Sequence, residues 1–168
     1  TCDKHGILLI FDEVITGWGR TGSSFASIEY GVTPDIMTMA KATTNGVVPM
    51  GVVACKDEIY DSVMDASPMG SVELFHGYTY SGIPVAVAAA LAVQDIFEKE
   101  DIFTRAKNLV PYFQKGLFSL QDLESVENIR GYGMMGGIDM KLNTKPGKAG
   151  YETFKYCYEA GVNFKATG

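Results

Sequence analysis

Two apolar runs near the start of the chain each end abruptly in charged residues. The first, residues 7–11, is followed by Asp12 and another acid, a pattern typical of a strand buried on both faces of a parallel sheet that emerges at a polar crevice. The second, residues 36–40, is followed by a lone lysine, Lys41. Because ligands of open α/β sheets bind at such crevices, we expect Asp12 and Lys41 to meet at one edge of a sheet.

The rest of the pattern predicts further helices and strands around a long loop, residues 65–82, which is rich in serine, glycine and aromatic residues. We therefore predict an α/β fold, doubly wound in residues 1–97 and α+β in residues 98–168. The predicted elements are a short helix 23–30, a strand 51–54, a helix 56–64, a helix 84–99, an amphipathic helix 102–120 kinked at Pro111, a glycine-bent strand 130–140, a helix 150–160 and a last strand 162–166.

Composition narrows the class of protein. The chain has 168 residues, 46% of them hydrophobic, and a net charge of −6. It has no long basic run, which argues against a nucleic-acid partner, and its longest apolar run is about half the length needed to cross a bilayer. We expect no membrane association, and we interpret the chain as a piece of a longer protein because it lacks an initial methionine.

The cysteines and histidines suggest no metal site. Cys2, Cys55 and Cys157 form no CxxC pair and have no histidine at metal-ligand spacing, so we predict reduced thiols and a cytoplasmic location. His5 and His76 have no catalytic partner at a sensible spacing, so we expect both to be structural.

Two familiar nucleotide-binding motifs are disfavoured. An apolar run ending in Asp12 and Glu13 also occurs in P-loop ATPases, but GxxxxGK[ST] is absent from the chain. Residues 17–22 match GxGxxG, yet five residues separate them from the apolar run and no strand-end acid follows about 20 residues later. These glycines more simply predict a tight loop, which we expect Glu13 and Arg20 to support.

Lys41 and Asp12 together fit one chemistry well. A lysine in neutral, apolar surroundings loses its proton more easily and can attack a carbonyl. Pyridoxal 5'-phosphate (PLP) requires such a lysine to form a Schiff base with its aldehyde, and an aspartate to keep its ring nitrogen protonated.

Four motifs in order make the chain resemble the class III PLP-dependent aminotransferases, and within them the ω-amino acid:pyruvate branch. They are FDEVITGWGRTG from residue 11, AKATTNG from residue 40, HGYTYSG from residue 76 and RGYGMMGGID from residue 130. The resemblance implies a fold-type I transferase, with the second part of the large α/β PLP-binding domain in residues 1–97 and most of a smaller α+β C-terminal domain in residues 98–168. It also implies transfer of an amino group from an amine donor to a keto acid such as pyruvate.

By resemblance, Lys41 would form the Schiff base and shuttle the proton, and Asp12 would bind the pyridinium. Val14, two residues further along the same strand, would pack on the ring. Thr79 would bind the cofactor phosphate across a homodimer interface. Trp18 would lie near the substrate-side loop, with a role as a packing residue as the alternative.

This sequence departs from the family at Lys165, where an arginine usually binds the substrate carboxylate. Lys165 would bind that carboxylate as a point charge and less completely, or it would be a solvated strand residue with the acceptor held elsewhere. The family's upstream phosphate-binding turn and ring-stacking aromatic are absent from the chain, so we expect the isolated 168 residues to be inactive. Two alternatives stay open: another class III activity, such as an aminomutase or a decarboxylase, and a non-catalytic fragment or interaction module.

Overall fold

The computed structural model describes residues 1–69, 79–141 and 145–167. By its internal contacts the chain divides into two compact units, Thr1–Val110 and Pro111–Gly168. The boundary near residue 97 concerns the domains of the whole protein and stays a prediction.

The first unit contains a three-stranded sheet of β1 (Ile10–Asp12), β2 (Ile36–Met39) and β3 (Val52–Cys55) in that order. β1 and β2 are parallel, with Asp12 opposite Thr38, and β2 and β3 are antiparallel. The described sheet is therefore mixed. The connection between β2 and β3, residues 40–51, contains only a short 3-10 turn, whereas a connection between parallel strands usually needs a crossover helix.

The first strand is shorter and more exposed than its apolar run predicted. Ile7, Leu8 and Ile10 are 59%, 56% and 57% exposed. Among the described residues β1 is an edge strand with only β2 beside it, and burial of the strand on both faces stays a prediction for the sheet of the whole protein.

The helices of the first unit lie close to their predicted positions. Pro84 occupies the first turn of its helix, where its missing N–H is tolerated. The first helix has four residues and not eight. No described helix has both the length and the apolar character needed to cross a membrane. The helices are α1 (Ala26–Glu29), α2 (Asp57–Ala66), α3 (Pro84–Lys99) and α4 (Ile102–Phe118), the last of which contains Pro111 and continues into the second unit.

The second unit contains the end of α4, a hairpin of β4 (Val126–Tyr132) and β5 (Met135–Met140), and α5 (Lys148–Glu159). The single bent strand predicted over residues 130–140 is thus wrong, because Gly133 at φ +57° allows the chain to reverse. The strand predicted over residues 162–166 is also wrong: that segment pairs with no described strand.

Small residues let α4 approach the hairpin closely. A Cβ at Gly131 or Gly136 would lie 2.8 or 2.5 Å from the side chain of Leu117. Gln114 Nε2 donates hydrogen bonds to the carbonyls of Gly133 at 2.6 Å and Met135 at 3.2 Å. The glycines of this motif therefore serve helix packing. Elsewhere in the chain, all three cysteines are free, and their reduced state stays a prediction.

Candidate active site

Asp12 lies at the carboxyl end of β1, and two groups hold one of its carboxylate oxygens. The Thr38 hydroxyl donates a hydrogen bond to Asp12 Oδ1 at 3.2 Å, and the Val14 backbone N–H donates to the same oxygen at 3.1 Å. No residue in the described ranges donates to Oδ2. The second oxygen is therefore available to a ligand.

Lys41 follows β2 immediately and begins the 3-10 turn Lys41–Thr43. Its backbone has φ +52°, in the left-handed region that residues with a side chain seldom adopt. The Thr43 hydroxyl donates to the Ala40 carbonyl at 3.0 Å, and Thr44, 1% exposed, donates from its hydroxyl to the Val48 carbonyl. These bonds hold the strained turn in place.

The structure brings Lys41 and Asp12 close together at the carboxyl ends of β2 and β1, where both contact Val14. Lys41 Nζ donates to the Val14 carbonyl at 3.4 Å, while the Val14 N–H binds Asp12. Among the described residues, neither Lys41 nor Asp12 takes part in an ion pair within 4.0 Å. The amine and the carboxylate are neighbours that do not neutralise each other.

Contrary to expectation, Val14 lies outside strand β1. β1 ends at Asp12, and Val14 opens the turn that follows. The alternation of side chains along a strand therefore does not place Val14 on the same face as Asp12, because that rule requires extended backbone. Its proposed contact with a ring depends on the turn.

Glu13 anchors the same strand end from the protein interior. It is 1% exposed and accepts hydrogen bonds from the backbone N–H groups of Ala26 at 3.1 Å and Ser27 at 2.7 Å, and from the Thr16 hydroxyl. A buried carboxylate needs such donors. The prediction that Glu13 supports the loop is confirmed.

Trp18 packs within an aromatic cluster. Its ring stacks on Phe97 with centroids 5.6 Å apart and meets Phe25 edge-on at 4.9 Å. Its indole Nε1 is buried and has no hydrogen-bond partner in the described part of the chain. A Cβ at Gly19 would lie 3.5 Å from Ala106, so the glycine loop packs closely against α4. Trp18 thus has a packing role, and its contact with substrate stays a prediction.

Thr79 is exposed and lines an open cavity of about 580 Å³. The loop after the Lys41 turn and the start of α3 form the other walls. Neither Lys41 nor Asp12 lines this cavity, so it does not by itself mark the site of chemistry. His76 lies outside the described residues.

Lys165 lies in the second unit, in the segment after α5. It is exposed and forms no ion pair with any described residue. Its role as a carboxylate ligand stays a prediction.

Sequence reasoning missed Thr38. The available signal was a hydroxyl residue within an otherwise apolar strand, between Met37 and Met39 and three positions before Lys41. Its partner could not be found from the pattern, because Asp12 lies 26 residues away.

Comparison with known proteins identifies the family. The family model described as Aminotransferase class-III matches residues 1–168. The chain is 46% identical to an omega-aminotransferase of Caulobacter vibrioides over 99% of this chain and 38% of that protein. It is 50% identical to the beta-alanine–pyruvate aminotransferase of Pseudomonas aeruginosa over 83% of this chain and 31% of that protein.

A solved structure agrees with these relatives. A thermostable (S)-enantioselective omega-transaminase from Thermomicrobium roseum superposes with a TM-score of 0.90 at 38% identity, covering 99% of this chain and 38% of that one. The chain belongs to the class III aminotransferases, which are PLP-dependent and share the fold predicted for it. It spans about a third of the length of these relatives.

The residues present fit PLP. Lys41 supplies an amine, Asp12 supplies a carboxylate with one oxygen free of described donors, and the two are not ion-paired. One group can therefore bind an aldehyde while the other pairs with a protonated ring nitrogen.

Proposed function

We propose that the whole protein is a PLP-dependent aminotransferase that moves an amino group from an ω-amino acid or amine to a keto acid such as pyruvate. The observation that carries this proposal is the placement of Lys41 and Asp12 at one sheet edge, joined through Val14 without an ion pair. The relatives support the choice of acceptor, since one is a beta-alanine–pyruvate aminotransferase and another, from Pseudomonas putida, an omega-amino acid–pyruvate aminotransferase.

In this proposal Lys41 has two tasks. Its amine binds the cofactor aldehyde and later, once displaced, moves a proton to and from the substrate Cα. When bound, PLP supplies the aldehyde that takes up the amino group and a ring that accepts the electrons released at Cα. The Val14 carbonyl accepts a hydrogen bond from Lys41 Nζ and so holds the amine near the end of β1.

Asp12 holds the ring nitrogen in its protonated form. Its Oδ1 is held by two donors, so Oδ2 would be the oxygen that accepts a hydrogen bond from the protonated ring nitrogen. Val14 lies against the ring in this proposal, while Trp18 and Lys165 act on the substrate side.

We further propose a homodimer in which Thr79 of one copy binds the cofactor phosphate of the other. The exposure of Thr79 at an open cavity is compatible with such a contact. We place the enzyme in the cytoplasm, which agrees with three free cysteines.

Borohydride reduction tests the proposal. The whole protein is loaded with PLP, reduced and digested, and the peptides are mapped by mass spectrometry. We expect a phosphopyridoxyl group on Lys41, because reduction converts a Schiff base into a stable secondary amine. Modification of Lys56 or Lys4, or of no lysine, would contradict the assignment.

Product analysis separates the proposed reaction from its alternatives. With β-alanine and pyruvate as substrates, we expect alanine to form in step with the loss of the donor's amino group. Because the oxo acid formed from β-alanine can itself lose carbon dioxide, only carbon dioxide release with an unchanged pool of pyruvate would identify a decarboxylase. An unchanged pool of pyruvate without carbon dioxide release would point to an aminomutase or an inactive protein.

A further inference from the structure

We propose that Thr38 is a positioning residue that orients Asp12 toward the ring nitrogen of the cofactor; this inference rests on the proposed function. Its basis is the hydrogen bond from the Thr38 hydroxyl to Asp12 Oδ1, 3.2 Å long, between two residues that face each other across the parallel strands β1 and β2.

The neighbours of Thr38 indicate a specific purpose for its hydroxyl. The other residues of β2 are Ile36, Met37 and Met39, all apolar. Thr38 and valine have nearly the same shape, and valine suits a strand at least as well. Packing alone therefore does not explain a hydroxyl at this position, whereas the hydrogen bond to Asp12 does.

The hydroxyl acts together with the Val14 N–H. Asp12 ends its strand and is exposed, so its side chain would otherwise rotate between several conformations. Two donors on Oδ1 define both the χ1 angle and the plane of the carboxylate. The oxygen without a described donor, Oδ2, is then presented in one orientation, as outer hydrogen bonds do for the ligands of metal sites.

Thr38 also couples Asp12 to Lys41. The Val14 N–H bond is local to the turn after β1, but Thr38 belongs to the strand that leads directly into Lys41. The Thr38 carbonyl accepts the backbone N–H of Glu13 at 2.9 Å, so Thr38 binds the end of β1 through both its backbone and its side chain. The distance between carboxylate and amine is thereby set by β2 and its register.

The test compares Thr38→Val, which removes the hydroxyl, with Thr38→Ser, which keeps it. Thr153→Val is the matched control, because Thr153 donates a hydroxyl hydrogen bond of 2.9 Å within α5 of the second unit. Each whole-protein variant is loaded with PLP labelled with nitrogen-15 in the ring. The nitrogen-15 chemical shift, which depends on ring protonation, and the Kd for PLP are then measured.

We expect Thr38→Val to move the ring nitrogen-15 shift toward the unprotonated value and to lower kcat about five- to tenfold, with little change in KM. This is less than the full loss of a hydrogen bond to a charged group, because the Val14 N–H still holds Oδ1. Thr38→Ser should restore the shift and most of kcat. Thr153→Val should leave the shift and kcat as in the parent protein, whatever its effect on stability.

Asp12→Asn in the same series separates this inference from the proposed function. If Asp12→Asn moves the nitrogen-15 shift and Thr38→Val does not, the positioning role is refuted while the function stands. If neither variant moves it, the assignment of Asp12 fails as well. A shift in Thr38→Val that serine does not restore would also overturn the inference, because it would mean that the hydroxyl is not the cause.

Discussion

The two ends of the first sheet carry the same pair of residue types in opposite arrangements. At the end where β2 begins, Lys56 Nζ lies 2.7 Å from Asp35 Oδ1, and Asp35 Oδ2 accepts the Leu9 backbone N–H at 2.7 Å. At the other end, Asp12 and Lys41 lie close together but form no ion pair. An aspartate and a lysine therefore hold the strands at one end and stay available at the other.

The pKa shifts at the paired end agree with this contrast. The hydrogen bond from the Leu9 N–H, followed by that from Lys56, lowers the pKa of Asp35. The hydrogen bond and charge of Asp35 raise the pKa of Lys56. Groups that satisfy each other in this way stabilise a fold, whereas an amine that must attack a carbonyl has to remain unpaired.

The largest expected effect is at Lys41. Lys41→Ala should reduce turnover by the whole protein below detection, because among the described residues no other lysine follows β2 directly. Lys56→Ala should lower the melting temperature, because it removes the ion pair with Asp35, but should keep kcat within about twofold once the protein is folded, because Lys56 lies at the opposite end of the sheet from Lys41. Steady-state kinetics with saturating PLP measures both variants. A Lys41→Ala enzyme that turns over normally would remove the distinction between the two ends.

The next effect concerns the two aspartates. Asp12→Asn preserves shape but removes the charge that pairs with the ring nitrogen, so kcat should fall about a hundred- to a thousandfold. Asp35→Asn should keep kcat within about threefold and act on stability instead. Equal losses of kcat in the two variants would show that both ends are structural.

A smaller effect should appear in the stability of the protein at acid pH, through the ion pair of Asp35 and Lys56. Because folding lowers the pKa of Asp35 from its ordinary value of 3.8, the stabilisation is complete above that value and is lost as the pH falls through the folded pKa. Urea unfolding midpoints of the whole protein should thus fall more steeply between about pH 5 and pH 2 than those of Asp35→Asn.

Asp61→Asn is the control for the acid series, because Asp61 is exposed on α2 and forms no ion pair with a described residue. Its midpoints should follow those of the parent protein. Parallel curves for Asp35→Asn and the parent protein would mean that the Leu9 and Lys56 contacts contribute nothing to the pH dependence.

The smallest effect is expected at a third lysine, Lys165, which like Lys41 has no acidic partner among the described residues. If it binds the acceptor carboxylate, Lys165→Arg should lower KM for pyruvate several-fold, because a guanidinium can bind both oxygens, and Lys165→Ala should raise it. An aldehyde acceptor without a carboxylate serves as the control. Equal changes for both acceptors would point to general damage.

The two charged residues of the candidate site could be predicted from the sequence because each depends on a local pattern. Asp12 and Lys41 each follow an apolar run, so local pattern placed them at strand ends, and parallel strands present these ends at one edge. The same logic failed for the strand predicted over residues 162–166, where the pattern is present but no partner strand is described. A strand depends on pairing with distant residues, whereas a helix forms its hydrogen bonds within its own segment.

The sequence by itself determined the class of protein, the two charged residues at the sheet edge and the approximate extent of α2, α3, α4 and α5, because motifs and helical periodicity involve residues near one another in the chain. Only the tertiary structure decided the antiparallel course of β3, the hairpin of β4 and β5, and the packing of Trp18 against Phe97. It also decided that Thr38 lies opposite Asp12 and that Val14 lies between Asp12 and Lys41. These features depend on register and on contacts between distant residues, whose free energies no local pattern contains.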